Sequence, residues 1–402
     1  MAELSVAVLG GERWAKALTA LLKHNQNKLR GDIRQVIEYV PSPVDSADPE
    51  KTPLAPLLPE SNDKTATSVP ADSADAGMMA RTAAPLAKVA AGVGAKLPKA
   101  SLESDSEDAT IVHLTADRLL GSIALSASEA NTQKDLGSAD LIFLAVPAQT
   151  VRTVLRQVRS VLRPRQMLVH CVNGFFPAEP KNDEPAYLIS SIIRQETPLT
   201  RIGALAGPAL PEDLEEWSPA ALVCGSTTEQ VISSTRQVLG CTTLRIYGSS
   251  DLPGVEVAAA MAGIVALASG ICDAQQLGLS IRAMLVSRAV TEISHLGTHL
   301  GGAERTFLGL AGFGAFMLAS EARDGADFQL GKLLGSGAEP AKAVAALERP
   351  CNSLITIRDA YHLAEQHGLR TPILTALYRI LFQGAARSTA ITDLLEDPHY
   401  SE

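Results

Sequence analysis

Residues Leu4–Ala15 read LSVAVLGGERWA: a six-residue apolar run that stops at Gly10-Gly11 and passes into a helical pattern from Arg13 to about Leu22. Ile33–Val40 (IRQVIEYV) then alternates well enough for a second strand. Strand, glycine turn, helix and strand together open a βαβ unit. Further on, Ala139–Pro147 (ADLIFLAVP) is apolar almost throughout, as a strand covered on both faces of a parallel sheet must be. Thr110–Leu114, Gln166–Val172, Ile202–Ala206, Ala220–Gly225 and Thr243–Tyr247 extend this to a sheet of six to eight strands. Val151–Leu162 reads as a helix within that series, with Arg152, Arg156 and Arg159 in a row expected to form a solvated face, an anion site being the alternative. From Gly254 onward the pattern is nearly all helical, first Val255–Leu277 and Ile281–Leu300, then shorter segments to Leu395. The change near Ser250 divides the chain into residues 1–250 and 251–402. The fold class is α/β, a mostly parallel sheet domain followed by an all-α C-terminal domain.

The sheet pattern is interrupted from Pro41 to about Asp108. This stretch is rich in Pro, Ser, Ala and Asp and holds few large apolar residues. Such a composition buries too little surface to offset chain entropy, so residues 41–108 are expected to be a low-complexity, mostly disordered insertion. Met78–Leu97 reads as a weak amphipathic helix inside it. A solvated loop and a docking segment for a partner are the two readings of the insertion.

Composition narrows the function classes. The chain has 402 residues, 46% hydrophobic and 20% charged, which suits two globular domains. A net charge of -9 argues against a nucleic-acid or anionic-membrane binder. Cys171, Cys224, Cys241, Cys272 and Cys351 are scattered without CxxC or ligand spacing, which reads as reduced thiols of a cytoplasmic protein. No metal set is evident. His295 and His299 stand four residues apart on a helix, but without the Glu of HExxH or a third ligand they read as surface residues. The N-terminus lacks a basic n-region, and no signal peptide is expected. Val255–Cys272 approaches the length of a membrane span, yet it is rich in Ala and Gly and has Glu256 near its start, so a buried helix is expected instead.

The glycine turn bears on nucleotide binding. A dinucleotide fingerprint, GxGxxG, needs its first Gly for the tight turn, its second for approach of the diphosphate and its third for helix packing. Here the six positions run from Gly10 and Gly11 through Glu12 to Ala15. Glu12 puts a Cβ and a negative charge where a diphosphate would lie. Like charges about 4 Å apart cost on the order of 1–4 kcal/mol at effective dielectrics of 80 to 20. Arg13 offers a compensating charge. Beyond the second strand, Glu38 is the nearest acid to the place that usually holds an adenosine ribose, and a strand-surface role suits it better.

Two later stretches carry a family likeness. YGSSDLPGVEVAAAMAGIVALASG (Tyr247–Gly270) and GLAGFGAFMLASEARDGADFQLGKLLGSG (Gly309–Gly337) resemble the substrate domain of NAD(P)-dependent glycerol-3-phosphate dehydrogenases. The resemblance implies a Rossmann-type sheet domain, an NAD(P) cofactor held around Gly10, Gly11, Glu12, Ala15 and Pro147, and interconversion of glycerol 3-phosphate and dihydroxyacetone phosphate. It covers most of the chain outside 41–108 and is more specific in the second half. The family's T-K-G turn corresponds to Val172-Asn173-Gly174, and its V-K-N triplet to Met261-Ala262-Gly263. The Asp of its GxGD run corresponds to Ala315, and a following Thr to Ala319. The Arg-Asn pair that grips the substrate phosphate corresponds to Ala326-Asp327, where the carboxylate would repel a phosphate. A late V-E-G turn aligns with Cys351-Asn352-Ser353.

Hydride reduction of a ketone phosphate needs a proton donor beside the carbonyl and cations around the phosphate. None of the residues at those positions provides either. What remains is scaffold: Gly207-Pro208 with Asp213, the helix start at Asp251, Gly254, Val255 and Glu256, turn glycines including Gly312, Gly314, Gly331, Gly335 and Gly337, and Pro372-Ile373. Gly278, Arg282, Arg288 and Glu292 match the following helix pair, with the two arginines read as surface or ion-pair residues. Cys171 beside His170 reads as a buried strand cysteine, because neighbours on a strand face opposite ways. The sequence therefore points to a non-catalytic relative used for binding or assembly, as a homodimer through the helical domain or with an unknown protein partner. The rival reading is an active NAD(P)-dependent dehydrogenase.

Overall fold

The apolar runs become strands β1 (Leu4–Leu9), β2 (Ile33–Tyr39), β3 (Leu141–Leu144), β4 (Met167–His170), β5 (Arg201–Ala206), β6 (Ala220–Gly225) and β7 (Leu244–Ser249). They form one seven-stranded sheet in the order β2-β1-β3-β4-β5-β6-β7. All neighbours are parallel except β5 and β6, which pair antiparallel through Leu205 and Cys224. The structure is a computed structural model and describes residues 4–10, 13–28, 33–39, 136–176, 188–349 and 351–385. The expected strand at Thr110–Leu114, the insertion 41–108 with its helix at Met78–Leu97, and Gly11 and Glu12 of the glycine turn lie outside the described residues.

Helices α1 (Arg13–Lys28), α2 (Val151–Val158), α3 (Ile189–Glu196), α4 (Pro211–Glu215) and α5 (Glu229–Leu239) accompany the sheet. Beyond β7 every described element is helical: α6 (Leu252–Ala274), α7 (Gly278–His299), α8 (Glu304–Leu308), a π-type turn at Leu310–Gly314, α9 (Ala315–Glu321), α10 (Ala326–Gly335), α11 (Pro340–Ala345), α12 (Ser353–Gln366) and α13 (Pro372–Phe382).

Alternation along the strands builds two cores, one on each face of the sheet. Val6, Val8, Leu141, Phe143, Met167 and Val169 join the core that includes Leu18, Leu21 and Leu22 of α1. Ala7, Leu9, Ile142, Leu144 and Leu168 join the other, which runs on into α6, α7, α12 and α13. Both faces are covered, and this is why β1 and β3 read as continuous apolar runs.

Helix α6 is the axle of the second half. Asp251 caps it, accepting hydrogen bonds from the Gly254 N–H at 3.0 Å and the Ala303 N–H at 2.8 Å, which ties the helix start to the turn before α8. Among the described helices only α6 is long and apolar enough to cross a membrane, and 89% of its apolar window is buried inside the fold. Helix α10 crosses α6 at backbone contact. A Cβ on Gly270 would collide with the Phe328 carbonyl, and one on Gly331 with the Leu267 carbonyl.

One expectation needs correction. The helix read as Val151–Leu162 ends at Val158, six residues before Pro164, whose ring and missing N–H stop a helix from continuing. Of the arginine row on it, Arg156 and Arg159 are exposed, as expected of a solvated face, while Arg152 is half-buried. Arg156 forms two hydrogen bonds of 2.9 and 3.0 Å to the Glu196 carboxylate, and Arg152 Nε lies 3.4 Å from the same group. The hydrogen bond from Arg156 holds the Glu196 carboxyl below its ordinary range, against the opposing effect of burial.

Candidate functional site

Strand order reverses between β1 and β3, and in open α/β sheets ligands bind in the crevice beyond the strand ends at such a reversal. Gly10 closes β1 there with φ +147°, and a Cβ on it would strike the Ala145 carbonyl after β3. Any side chain there would be strained and would clash, so the position calls for glycine. Ala15 is fully buried at the start of α1. Pro147 precedes a short 3-10 turn, and its carbonyl accepts the Thr150 hydroxyl at 2.9 Å. Arg13 is engaged by Glu212, with Glu215 at 3.8 Å, so its charge already has carboxylate partners.

A cavity of about 120 Å³ lies between these strand ends and the helical half. Asn173, Ala262, Ala315 and Ala319 all line it, from β4's exit, α6 and α9. Trp14, Leu205, Leu210, Leu222 and Leu318 complete most of the apolar wall, with Cys171 beneath. Among the described residues no charged side chain lines it. Burial, with Cys224 nearby, pushes the Cys171 thiol well above its ordinary value, so it is a poor source of thiolate.

The cavity shares Trp14 and Leu210 with a wider cleft of about 810 Å³. That cleft mixes Arg13, Lys16, Arg323 and Arg349 with Glu212, Glu321 and Asp324. Several of the cations have partners: Arg323 pairs with Asp273 at 3.0 Å, and Arg349 donates to the Asp324 carbonyl at 3.1 Å. Ala326 borders this cleft rather than the cavity.

Asp327 faces neither space. Its carboxylate accepts a hydrogen bond from the Cys351 thiol at 2.7 Å and one from the Ser353 N–H at 3.3 Å. Oδ2 would lie 3.0 Å from a Cβ placed on Gly263. Burial raises the Asp327 carboxyl above its usual value, the hydrogen bonds from Cys351 and Ser353 pulling the other way. The expectation that Asp327 would repel a phosphate therefore needs correction. The missing side chain at Gly263 makes room for it, and it turns into the helix packing.

Below the cavity, Glu256 ties three elements together. It accepts the Ser190 N–H at 2.7 Å and the Ser190 hydroxyl at 2.6 Å, and His170 Nε2 lies 3.0 Å away. All three residues are buried. His170 thus turns away from the cavity, whereas Cys171 beside it lines the wall. Arg282 is buried in ion pairs with Asp273 at 3.1 Å and Glu321 at 3.0 Å. His299 packs against His367, with ring centroids 4.0 Å apart and the rings tilted by 49°, rather than pairing with His295. All five cysteines are free thiols. Among the described residues no group of three metal-ligating side chains gathers.

Profiles described as the N-terminus and C-terminus of NAD-dependent glycerol-3-phosphate dehydrogenase match residues 115–232 and 251–392. Glycerol-3-phosphate dehydrogenase [NAD(P)+] of Macrococcus caseolyticus is 30% identical over 275 residues, which is 68% of this chain and 81% of the relative. The chain belongs to the NAD-dependent glycerol-3-phosphate dehydrogenase family. The Staphylococcus aureus protein of the same name is 31% identical over 269 residues, covering 67% of this chain and 80% of that one. The solved glycerol-3-phosphate dehydrogenase of Coxiella burnetii shares the fold at 19% identity and a TM-score of 0.68, covering 98% of this chain and 99% of that one. The Plasmodium falciparum one does so at 16% identity and a TM-score of 0.70, covering 100% and 97%.

Of the residues singled out as glycerol-3-phosphate dehydrogenase site positions, four meet in the cavity: Asn173, Ala262, Ala315 and Ala319. Gly263 and Asp327 meet each other beside it, and Ala326 stands apart on the cleft. Sequence reasoning missed the wall itself. Trp14 was visible as a bulky aromatic just after the glycine turn, but Leu205, Leu222 and Leu318 read as ordinary core residues.

Proposed function

We propose that this chain is a non-catalytic member of the glycerol-3-phosphate dehydrogenase family, retained for binding or assembly. The reading rests chiefly on one observation: the cavity where Asn173, Ala262, Ala315 and Ala319 converge has a mostly apolar wall, with no charged side chain among the described residues. Reduction of dihydroxyacetone phosphate needs a proton for the alkoxide and positive charge for the phosphate. The amide of Asn173 delivers no proton at neutral pH, the alanines have none, and the Cys171 thiol is buried. NAD(P), by which the relatives are named, would place its diphosphate by the turn at Gly10. There Arg13 is engaged by Glu212 and flanked by Glu215, and the cofactor would have to compete with those carboxylates. The residues on this side of the cleft do not fit a diphosphate well.

The 30% identity spread over 81% of a relative named glycerol-3-phosphate dehydrogenase [NAD(P)+] favours the second reading, an active NAD(P)-dependent dehydrogenase on glycerol 3-phosphate or a related alcohol. One assay separates the two. The purified protein is mixed with NADH or NADPH and dihydroxyacetone phosphate while the nicotinamide absorbance band and the melting temperature are followed. The expected result is no substrate-dependent oxidation and no stabilisation by either nucleotide, in the native protein and in Ala262→Lys alike. Substrate-dependent oxidation by the native chain would overturn the non-catalytic reading.

A further inference from the structure

We infer that the cavity beneath Trp14 takes a small uncharged molecule, aryl-sized and mostly apolar, carrying one hydroxyl or carbonyl group. The inference rests on the non-catalytic reading and names what the altered site would bind. Three properties carry it. The first is size. At about 120 Å³ the space is close to the roughly 150 Å³ of an apolar protein cavity that stays dry and binds benzene. The second is polarity. Trp14, Leu205, Leu318, Ala262 and Ala315 line it, and none of them carries a charge that could offset the hydration an ion gives up on entering. The third is the single side-chain amide on the wall. Asn173 is exposed, and its amide both donates and accepts, which suits one neutral hydroxyl or carbonyl. The cleft that shares Trp14 and Leu210 gives such a molecule a route from solvent.

The experiment uses the full chain. Its two tryptophans are Trp14 and Trp217, so Trp217→Phe leaves Trp14 as the reporter on the cavity wall. Toluene, benzyl alcohol and benzoate are titrated against Trp14 fluorescence. Toluene and benzyl alcohol are expected to saturate, and benzoate to bind at least about tenfold more weakly because its charge has no partner. Ala319→Leu and Ala262→Leu, each confirmed folded by its melting curve, should each weaken toluene by about tenfold by filling the space. If one of them fails to fold, the other still decides. Asn173→Ala should weaken benzyl alcohol severalfold and leave toluene unchanged. No saturable signal with either neutral probe would overturn the inference. So would binding that neither leucine variant reduces, or benzoate binding as tightly as benzyl alcohol. Turnover of dihydroxyacetone phosphate would instead overturn the non-catalytic reading, whatever the probes do. An inactive protein that ignores toluene and benzyl alcohol would overturn the ligand class alone.

Discussion

Gly270 and Ala262 sit about two turns apart on α6, and their surroundings differ in kind. Around Gly270 the backbone of α10 presses directly on α6, so the atoms a side chain would meet are carbonyls that cannot move aside. Ala262 instead lines the cavity, where a larger side chain has space to enter. Sequence at the first place is dictated by main-chain geometry. At the second it is dictated by whatever chemistry the site performs. A chain that keeps its fold while its chemistry changes keeps the first kind of residue and releases the second.

The most severe way to break this comparison is Gly331→Leu. Its Cβ strikes the Leu267 carbonyl, and about 5 kcal/mol of stability or cooperative folding itself should be lost in urea unfolding. Ala319→Leu, on the cavity wall, should stay within about 1 kcal/mol. Equal costs would erase the distinction. Glu256→Ala comes next. It leaves His170 and the Ser190 N–H buried without their acceptor, and about 3 kcal/mol should be lost. A loss below about 1 kcal/mol would mean that α6 is not pinned to the sheet through this carboxylate.

The third effect depends on pH. Glu292 accepts the Ile373 and Leu374 N–H groups at 2.9 and 2.8 Å and so caps α13. Burial pushes its carboxyl from 4.5 up to about 7, with those two hydrogen bonds opposing. In the folded chain it therefore holds a proton that the unfolded chain has released between those two values. Stability from this group is fully present below pH 4.5 and is lost as pH rises through 7. The loss is on the order of 3 kcal/mol. Urea midpoints between pH 4.5 and 8 should fall in the native chain and flatten in Glu292→Gln; parallel curves would remove Glu292 as the cause. The smallest effect is Gly263→Asn, which crowds Asp327 Oδ2 and the Ser353 Cβ and should cost about 1–2 kcal/mol. Most of that cost should vanish in a background of Asp327→Ala, as a double-mutant cycle would read.

The sheet was legible because covered strands have few compositional options: β1, β3 and β4 announce themselves as apolar runs between turns. The long helices were legible for the same reason, and α2 overshot only where apolar spacing ran on toward Pro164. The convergence of Asn173, Ala262, Ala315 and Ala319 followed from the family likeness, since no periodicity links positions so far apart in the chain. Side-chain direction was not legible. Asp327 finds its partners 24 and 26 residues away in Cys351 and Ser353, and Arg156 finds Glu196 40 residues on. In both cases the local pattern showed a charge and could not show what it faced. The cavity wall was hidden for a further reason: a leucine beside an empty space has the same sequence context as a leucine in a filled core.

The fit between Gly263 and Asp327 constrains what either position can become. An aspartate can lodge here because the facing helix has no side chain at that point, and the glycine is tolerable because the aspartate fills the gap. Each change makes the other easier to keep and harder to undo. A side chain at 263 would therefore be accepted more readily once 327 has a smaller one, so the two positions are coupled in what each can hold.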